Sequence, residues 1–306
     1  MSAQPLRIGT RGSPLALAQA NQVRDLLIEA HADLPAPELS IIKTTGDQVT
    51  DRPLADLGGK GLFTKEIETA LLDGAIDIAV HSMKDVETWL PDGLTVDCFL
   101  PREDPRDTLL GAASIDALAE GARVGTASLR RSAQLLAARP DLTITLMRGN
   151  VGTRLDKLAA GDVDATLLAI AGLKRLGRAD AIGAVLEPAE FLPAVAQGAV
   201  GIERRVDDEP TAAALEPLND AITALCVAAE RAMLAALDGT CRTPIGGLAT
   251  LDGDRLTLDG LLVWPDGSGL QRCQQDGDRA DAVALGDAVG RELRRRAGPE
   301  FFAALE

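Results

Sequence analysis

Short apolar stretches that run into a turn of Gly, Ser, Thr or charged residues, and then into a helical stretch, recur through the first two thirds of the chain. This alternation constrains the fold more than any other feature. A strand that returns through a helix pairs in parallel with its predecessor, and helices then cover the faces of the sheet. Residues 6–9 predict a strand, and Ser13-Pro14 an N-cap followed by proline at the first helical position. The helix that follows extends to about Ala30, with Val23, Leu26, Leu27 and Ala30 on one face. A strand is expected over 39–43, a helix over 63–72 closed by Asp73-Gly74, and a strand over 76–80. The pattern restarts with a strand ending at Val124-Gly125 and a helix over 129–138, capped by Ser128 and stopped by Pro140. A strand over 142–147, a helix opened by Arg148-Gly149-Asn150, a strand over 163–170 and a helical turn over 173–176 complete the second block.

Two such blocks, divided near residues 101–105, predict two α/β lobes with parallel-rich sheets and a hinge. A strand over 199–203 can return to the first lobe. The tail does not alternate: one long Ala-rich helix over 211–237, strands over 255–259 and 261–264, and a helix over 280–296 before Gly298-Pro299 predict a small α+β domain. The expected domains are 1–100 with 199–216, 101–198, and 217–306. About 150 residues per domain makes two or three reasonable for 306.

Charge and composition narrow the function. A net charge of −15, with five Phe, two Trp and no Tyr, argues against a nucleic-acid binder. The longest apolar runs, such as 165–173, reach about half the ~20 residues of a membrane helix. The first residues carry Arg7 and Arg11 without an apolar signal core, so a cytoplasmic protein without a membrane anchor is expected. Cys98, Cys226, Cys241 and Cys273 form no CxxC pair, and His31 and His81 are the only imidazoles; neither a disulfide framework nor a metal centre is expected.

Arg outnumbers Lys 25 to 6, which genomic bias or recognition of carboxylates and phosphates would each explain. Residues 123–157, however, hold seven basic side chains against Asp141 and Asp156, giving +5 over 35 residues and leaving −20 elsewhere. An anion-binding region is the preferred explanation of this concentration, a solvated face the alternative. Several strand-to-helix turns suit anions: Thr10-Arg11-Gly12-Ser13, Ser82-Met83-Lys84-Asp85, Gly125 to Arg131, and Arg148-Gly149-Asn150. Facing one cleft between lobes, they would suit a multiply anionic ligand. Gly58-Gly59-Lys60-Gly61 lacks P-loop spacing and reads either as a surface loop or as a lid. Asp85 fits an ordinary helix-start acid as well as a functional one. Cys241, beside Arg242, sits where a thiolate is favoured.

Motifs across nearly the whole chain resemble the porphobilinogen deaminase (hydroxymethylbilane synthase) family. They are His81-Ser82-Met83-Lys84-Asp85, Gly125-Thr126-Ala127-Ser128-Leu129-Arg130-Arg131, Arg148 through Arg154, and Gln197-Gly198-Ala199-Val200-Gly201. Thr10 to Ala16, Gly58 to Phe63 and the Cys241 loop match as well. The resemblance implies a transferase that joins four porphobilinogens head to tail, with loss of ammonia, on a covalent dipyrromethane cofactor. It implies two periplasmic-binding-protein-like lobes, a third small domain and a monomer.

By the same resemblance Cys241 carries the cofactor through a thioether, and Asp85 contacts pyrrole N–H groups and serves proton transfer. Ser82, Lys84, Asp85, Thr126, Ser128, Arg130, Arg131 and Arg154 would hold the cofactor. Arg11, Ser13, Lys60, Phe63, Arg148, Arg154, Arg175 and Gln197 would handle substrate, with Lys60 and Phe63 on the lid-like loop. Ala127, Thr240 and Glu87 depart from the family's usual Ser, Gly and Pro. The chemistry agrees: each pyrrole adds two carboxylates that call for guanidinium forks, and ammonia departure leaves a cation that a carboxylate can stabilise. A non-catalytic anion-binding protein would explain the Arg-rich turns but not the Cys241 loop. A cysteine hydrolase would need His81 as its base.

Overall fold

The computed structural model describes residues 4–33, 35–48, 64–240 and 243–304. They divide between two compact units, Met1–Glu103 with Ala199–Ala224, and Asp104–Gly198 with Leu225–Glu306.

The first unit contains β1 (Arg7–Thr10), α1 (Pro14–Ala30), β2 (Glu38–Ile41), the one-turn α2 (Thr45–Gln48), α3 (Lys65–Leu72), β3 (Ile78–Ser82) and β4 (Leu94–Phe99). After the excursion into the second unit, β10 (Val200–Arg205) and α7 (Glu209–Leu215) return to it. The sheet order is β2-β1-β3-β10-β4. β1 pairs in parallel with β2 and β3, as helix-connected strands should, whereas β10 is antiparallel to both β3 and β4. Alternation along β3 covers both faces: Ile78 and Val80 pack with Val23 and Leu27 of α1, Ala79 with Ile67 and Leu71 of α3.

The second unit contains β5 (Asp107–Leu110), β6 (Arg123–Thr126), α4 (Leu129–Ala138), β7 (Thr143–Leu146), α5 (Val151–Ala159), β8 (Ala165–Ala169), α6 (Ile170–Arg175) and β9 (Ala184–Leu186). Its first sheet has the order β7-β6-β8-β5-β9, again with two parallel pairings and an antiparallel β5. Most of α8 (Ala221–Ala236) belongs to this unit, with β11 (Ile245–Asp252), β12 (Arg255–Val263), β13 (Leu270–Asp278), α9 (Ala282–Ala297) and α10 (Pro299–Ala303). The three strands form an antiparallel sheet, and Leu248, Leu261 and Val263 pack against Ala133 and Ala137 of α4. Gly286 and Gly290 let α9 approach α8 closely: a Cβ on Gly286 would lie 2.2 Å from the Ala229 carbonyl oxygen.

One device occurs in each unit. Arg7-Ile8-Gly9-Thr10 opens the first sheet and Arg123-Val124-Gly125-Thr126 its counterpart. Arg7 pairs with Asp77, just before β3, and Arg123 with Asp164, just before β8, each through backbone and guanidinium N–H groups.

Two sequence expectations change. The single helix over 211–237 is broken into α7, a 3-10 turn at Glu216–Leu218 and α8, because Pro217 lacks the N–H that would continue the ladder. The two short strands over 255–264 are one strand, β12, running through Gly260, whose missing side chain makes room for Met233 and Leu293.

Candidate functional site

In the first unit, β1 ends at buried Thr10, and α1 begins behind the Ser13 cap, whose hydroxyl oxygen accepts from the Ala16 N–H at 3.3 Å. Arg11 lies in this turn, half-buried. The end of β3 carries the second group. Ser82 and Gln19 of α1 bond to each other twice, Gln19 Nε2 donating to Ser82 Oγ at 2.8 Å and the hydroxyl donating back to Oε1 at 3.0 Å. The Met83 N–H donates to the Ala199 carbonyl, so β10 fixes the 3-10 turn Met83–Asp85. Gly201 allows this, since a Cβ there would lie 2.2 Å from Met83 Sδ. Lys84 and Asp85 are half-buried on that turn. Ser82, Lys84 and Asp85 are thus held by backbone geometry from two directions.

His81 is 6% exposed, and its Nε2 lies 2.9 Å from Glu203 Oε2. It is a packed, partnered side chain. In the same core, burial, with the Glu203 carboxylate nearby, pushes the Glu68 carboxyl of α3 above its ordinary range.

The second unit carries the cationic groups. The side chain of Ser128 accepts from the Arg131 N–H and caps α4, while its own N–H donates to Thr126 Oγ1 at 3.1 Å. The cap sets the first turn of α4, which sends Arg130 and Arg131 inward. Both are at most 5% exposed, and they share Asp107, which has no exposed surface. Arg130 Nη2 donates to Oδ2 and Arg131 Nη2 to Oδ1, each at 2.7 Å. The Nη1 groups donate to the carbonyls of Leu192 and Leu167, and Gln197 Nε2 donates to Asp107 Oδ1 at 2.9 Å. Burial alone would raise the Asp107 carboxyl; Arg130 and Arg131 hold it far below the usual carboxylate range. Burial lowers Arg130, with Asp107 opposing and Arg131 adding to it, yet a guanidinium remains charged at any ordinary pH.

Two cations sharing one carboxylate leave the cluster with one buried positive charge. The Nε donors of both arginines are buried and have no hydrogen-bond partner among the described residues. A buried surplus cation and two unpartnered donors call for an anion that accepts hydrogen bonds, and a carboxylate meets both needs.

This cluster also revises the charge argument drawn from residues 123–157. Arg123 pairs with Asp164, Arg139 with Asp141, and Arg130 and Arg131 with Asp107. Two of these three acids lie outside the window, so a run of positive sequence is largely compensated in space. Asp107, which sequence reasoning missed, heads the apolar run of β5, and its partners lie more than 20 residues away. An acid opening a strand was the available signal. Gln19, which holds Ser82, and Glu230, a fully buried carboxylate on α8, gave none.

The remaining cationic residues sit on helix starts and ends. Asn150 caps α5 by accepting from the Thr153 N–H at 2.9 Å, and Arg154 Nε donates to the Gly149 carbonyl. Arg148 precedes this cap, half-buried, and Arg175 ends α6 and donates to the Gly198 carbonyl at 2.8 Å. Cys98, Cys226 and Cys273 are buried thiols; burial pushes Cys98 up to about 12. Cys241, Lys60 and Phe63 lie outside the described residues. Among the described residues no group of His, Cys, Asp or Glu could hold a metal ion, and no single helix is long and apolar enough to cross a membrane.

Fold and site together define an α/β protein of two mixed five-stranded sheets, with polar strand-to-helix turns and a buried guanidinium pair. Residues 6–213 match the family model for the porphobilinogen deaminase dipyromethane cofactor binding domain, and residues 224–295 that for the porphobilinogen deaminase C-terminal domain. The chain is 57% identical over 300 residues to a porphobilinogen deaminase of Nitrobacter hamburgensis, covering 96% of this chain and 94% of that one. It is 56% identical to that of Paracoccus denitrificans over 301 residues, covering 97% and 96%. The chain belongs to the porphobilinogen deaminase family. Similar solved structures include the periplasmic aliphatic sulphonate binding protein SsuA of Escherichia coli, at 17% identity, coverage of 77% and 71%, and a TM-score of 0.39. Another is the extracellular-binding protein ytmK of Bacillus subtilis, at 12% identity, 71% and 90% coverage, and a TM-score of 0.41.

Proposed function

We propose that the chain carries out its family's reaction with the residues described above. That reaction joins four porphobilinogen molecules head to tail, releases ammonia at each addition, and gives the linear tetrapyrrole hydroxymethylbilane for haem-type tetrapyrrole biosynthesis. The observation that carries the site assignment is the Arg130–Asp107–Arg131 cluster, with its surplus charge and two unpartnered Nε donors. These donors fit a carboxylate of the dipyrromethane cofactor, which supplies the covalent primer to which pyrroles are added.

Cys241 forms the thioether, and Ser82, Lys84, Thr126, Ser128 and Arg154 join the pair in holding the cofactor. Arg11, Ser13, Lys60, Phe63, Arg148, Arg154, Arg175 and Gln197 receive the substrate's acetate and propionate groups and its ring. Asp85 stabilises the cation left on the substrate when ammonia departs, and then accepts the ring proton lost on coupling. Its fixed turn suits this role, because a carboxylate already in place does not reorganise as charge develops. The chain acts as a cytoplasmic monomer of three domains, 1–100 with 199–216, 101–198 and 217–306.

Intact-mass spectrometry tests the assignment. The parent should carry the mass of two pyrrole units and give colour with an aldehyde reagent for pyrroles. Cys241→Ser should lose both, while Cys98→Ser, Cys226→Ser and Cys273→Ser keep them, as expected of buried thiols. Retention of the extra mass in Cys241→Ser would show that the anchor lies elsewhere.

A further inference from the structure

Among the buried acids of the second unit, Glu230 of α8 stands out, because both of its carboxylate oxygens accept from backbone N–H groups. With no exposed surface, it accepts from the Ala196 N–H at 2.6 Å through Oε2 and from the Ala249 N–H of β11 at 2.8 Å through Oε1. Ala196 has φ +57°, a left-handed conformation that a residue with a Cβ adopts only when its surroundings enforce it. It sits in a turn closed by the Gln197 N–H donating to the Ala194 carbonyl, with Gly198 at φ +90° immediately after.

The residues leaving this turn reach the cationic site. Gln197 donates to Asp107 Oδ1 and to the Pro105 carbonyl, and the Gly198 carbonyl receives Arg175. Rotating the Ala196 peptide toward the ordinary right-handed or extended region would swing both away. Asp107 would then lose the Gln197 donor that shares Oδ1 with Arg131, and Arg175 the carbonyl that holds it.

We infer that Glu230 is a positioning residue: its carboxylate holds Ala196 left-handed and so sets the Gln197–Asp107 and Gly198–Arg175 contacts that orient the carboxylate-binding guanidiniums. The inference rests on the assignment of Arg130, Arg131 and Arg175 to carboxylate binding. It also gives Glu230 of α8 a physical connection to the arginine cluster within one unit.

The test exploits glycine, which adopts positive φ without enforcement. Glu230→Gln places an amide N–H₂ against one of two backbone N–H groups, so one contact is lost. It should raise KM for porphobilinogen ~10-fold or more, the scale of a weakened charged hydrogen bond, with kcat within about threefold. The apoprotein should also need ~10-fold more porphobilinogen to acquire the two-pyrrole mass. Adding Ala196→Gly to Glu230→Gln should return KM and loading to within about threefold of the parent, even where Glu230→Gln alone folds poorly. A double variant no better than Glu230→Gln in KM, loading and folding would overturn the inference, as would a Glu230→Gln enzyme with a lower Tm but unchanged KM and loading. A parent that neither turns over porphobilinogen nor carries the pyrrole mass would instead overturn the functional assignment.

Discussion

Arg130 and Arg131 each do two jobs with different atoms. Their Nη groups hold the core together on Asp107 and on the Leu192 and Leu167 carbonyls, while the Nε groups, unpartnered among the described residues, are the donors that the proposed function gives to ligand. Arg130→Leu therefore leaves Asp107 Oδ2 buried without its donor, with Arg131 alone balancing the charge. It should cost about 3 kcal/mol by urea unfolding, the scale of a buried charged acceptor left unmade, before any loss of binding is considered. Arg148→Leu, on a half-buried site ahead of a helix cap, should unfold within about 1 kcal/mol of the parent and still raise KM. Similar stability losses in the two variants would show that the Asp107 cluster is not the strut described here. Asp85 differs from both, because in the proposed function its charge serves the reaction. Asp85→Asn should keep the fold and lose ~10²-fold or more in turnover, and Asp85→Glu should retain more activity than Asn. Glu87→Gln, two residues on, is the control. Asp85→Asn turning over within a few-fold of the parent would reduce Asp85 to a helix-start acid. Sequence located the basic residues of this region and misjudged their balance. A charge window counts neighbours along the chain, whereas Asp164 meets Arg123 where β8 pairs with β6, and Asp107 meets Arg130 and Arg131 where α4 packs over β5.

At the scale of elements, the caps were the most legible features. Ser13, Ser128 and Asn150 each accept from a backbone N–H three residues on, and α4 runs over the expected residues. Capping is local chemistry, so sequence displays it. β11 and β13 were invisible for the opposite reason. β13, Leu270–Asp278, is largely polar, and only its pairing with β12 makes it a strand. The helix α5 has no fully buried residue and meets the core only through the partly buried Val151, Leu155 and Leu158. Its cap should matter accordingly. Asn150→Ala should cost ~1 kcal/mol and lower Tm by a few degrees. Because Arg154 is anchored to the Gly149 carbonyl beside that cap, the variant should also raise KM. An unchanged KM would separate α5 from the binding site.

For the whole molecule, carboxylates paired with arginine set the response to acid. Asp107 has a folded pKa far below its unfolded value, so its contribution is present above about pH 4 and is lost as pH falls below that value. Asp77 and Asp104 are shifted the same way, although burial opposes their Arg7 and Arg106 partners. Glu68 acts in the opposite sense: its raised pKa means stability declines as pH rises through the unfolded value near 4.3 and on to the folded one. Urea midpoints should thus be nearly flat from about pH 6 to 8 and fall steeply below about pH 4. A midpoint constant down to about pH 3 would mean that the buried cluster adds no pH-dependent stability. The order of strands has a consequence in time as well as in space. β10 lies between β3 and β4, yet it begins at Val200, whereas β3 ends at Ser82 and β4 at Phe99. At a synthesis rate of about 5–20 residues per second, a ribosome delivers β10 roughly 5–20 s after β4. During that interval β3 and β4 wait with their facing edges unpaired, so the nascent first unit exposes an aggregation-prone sheet edge until much of the second has been made.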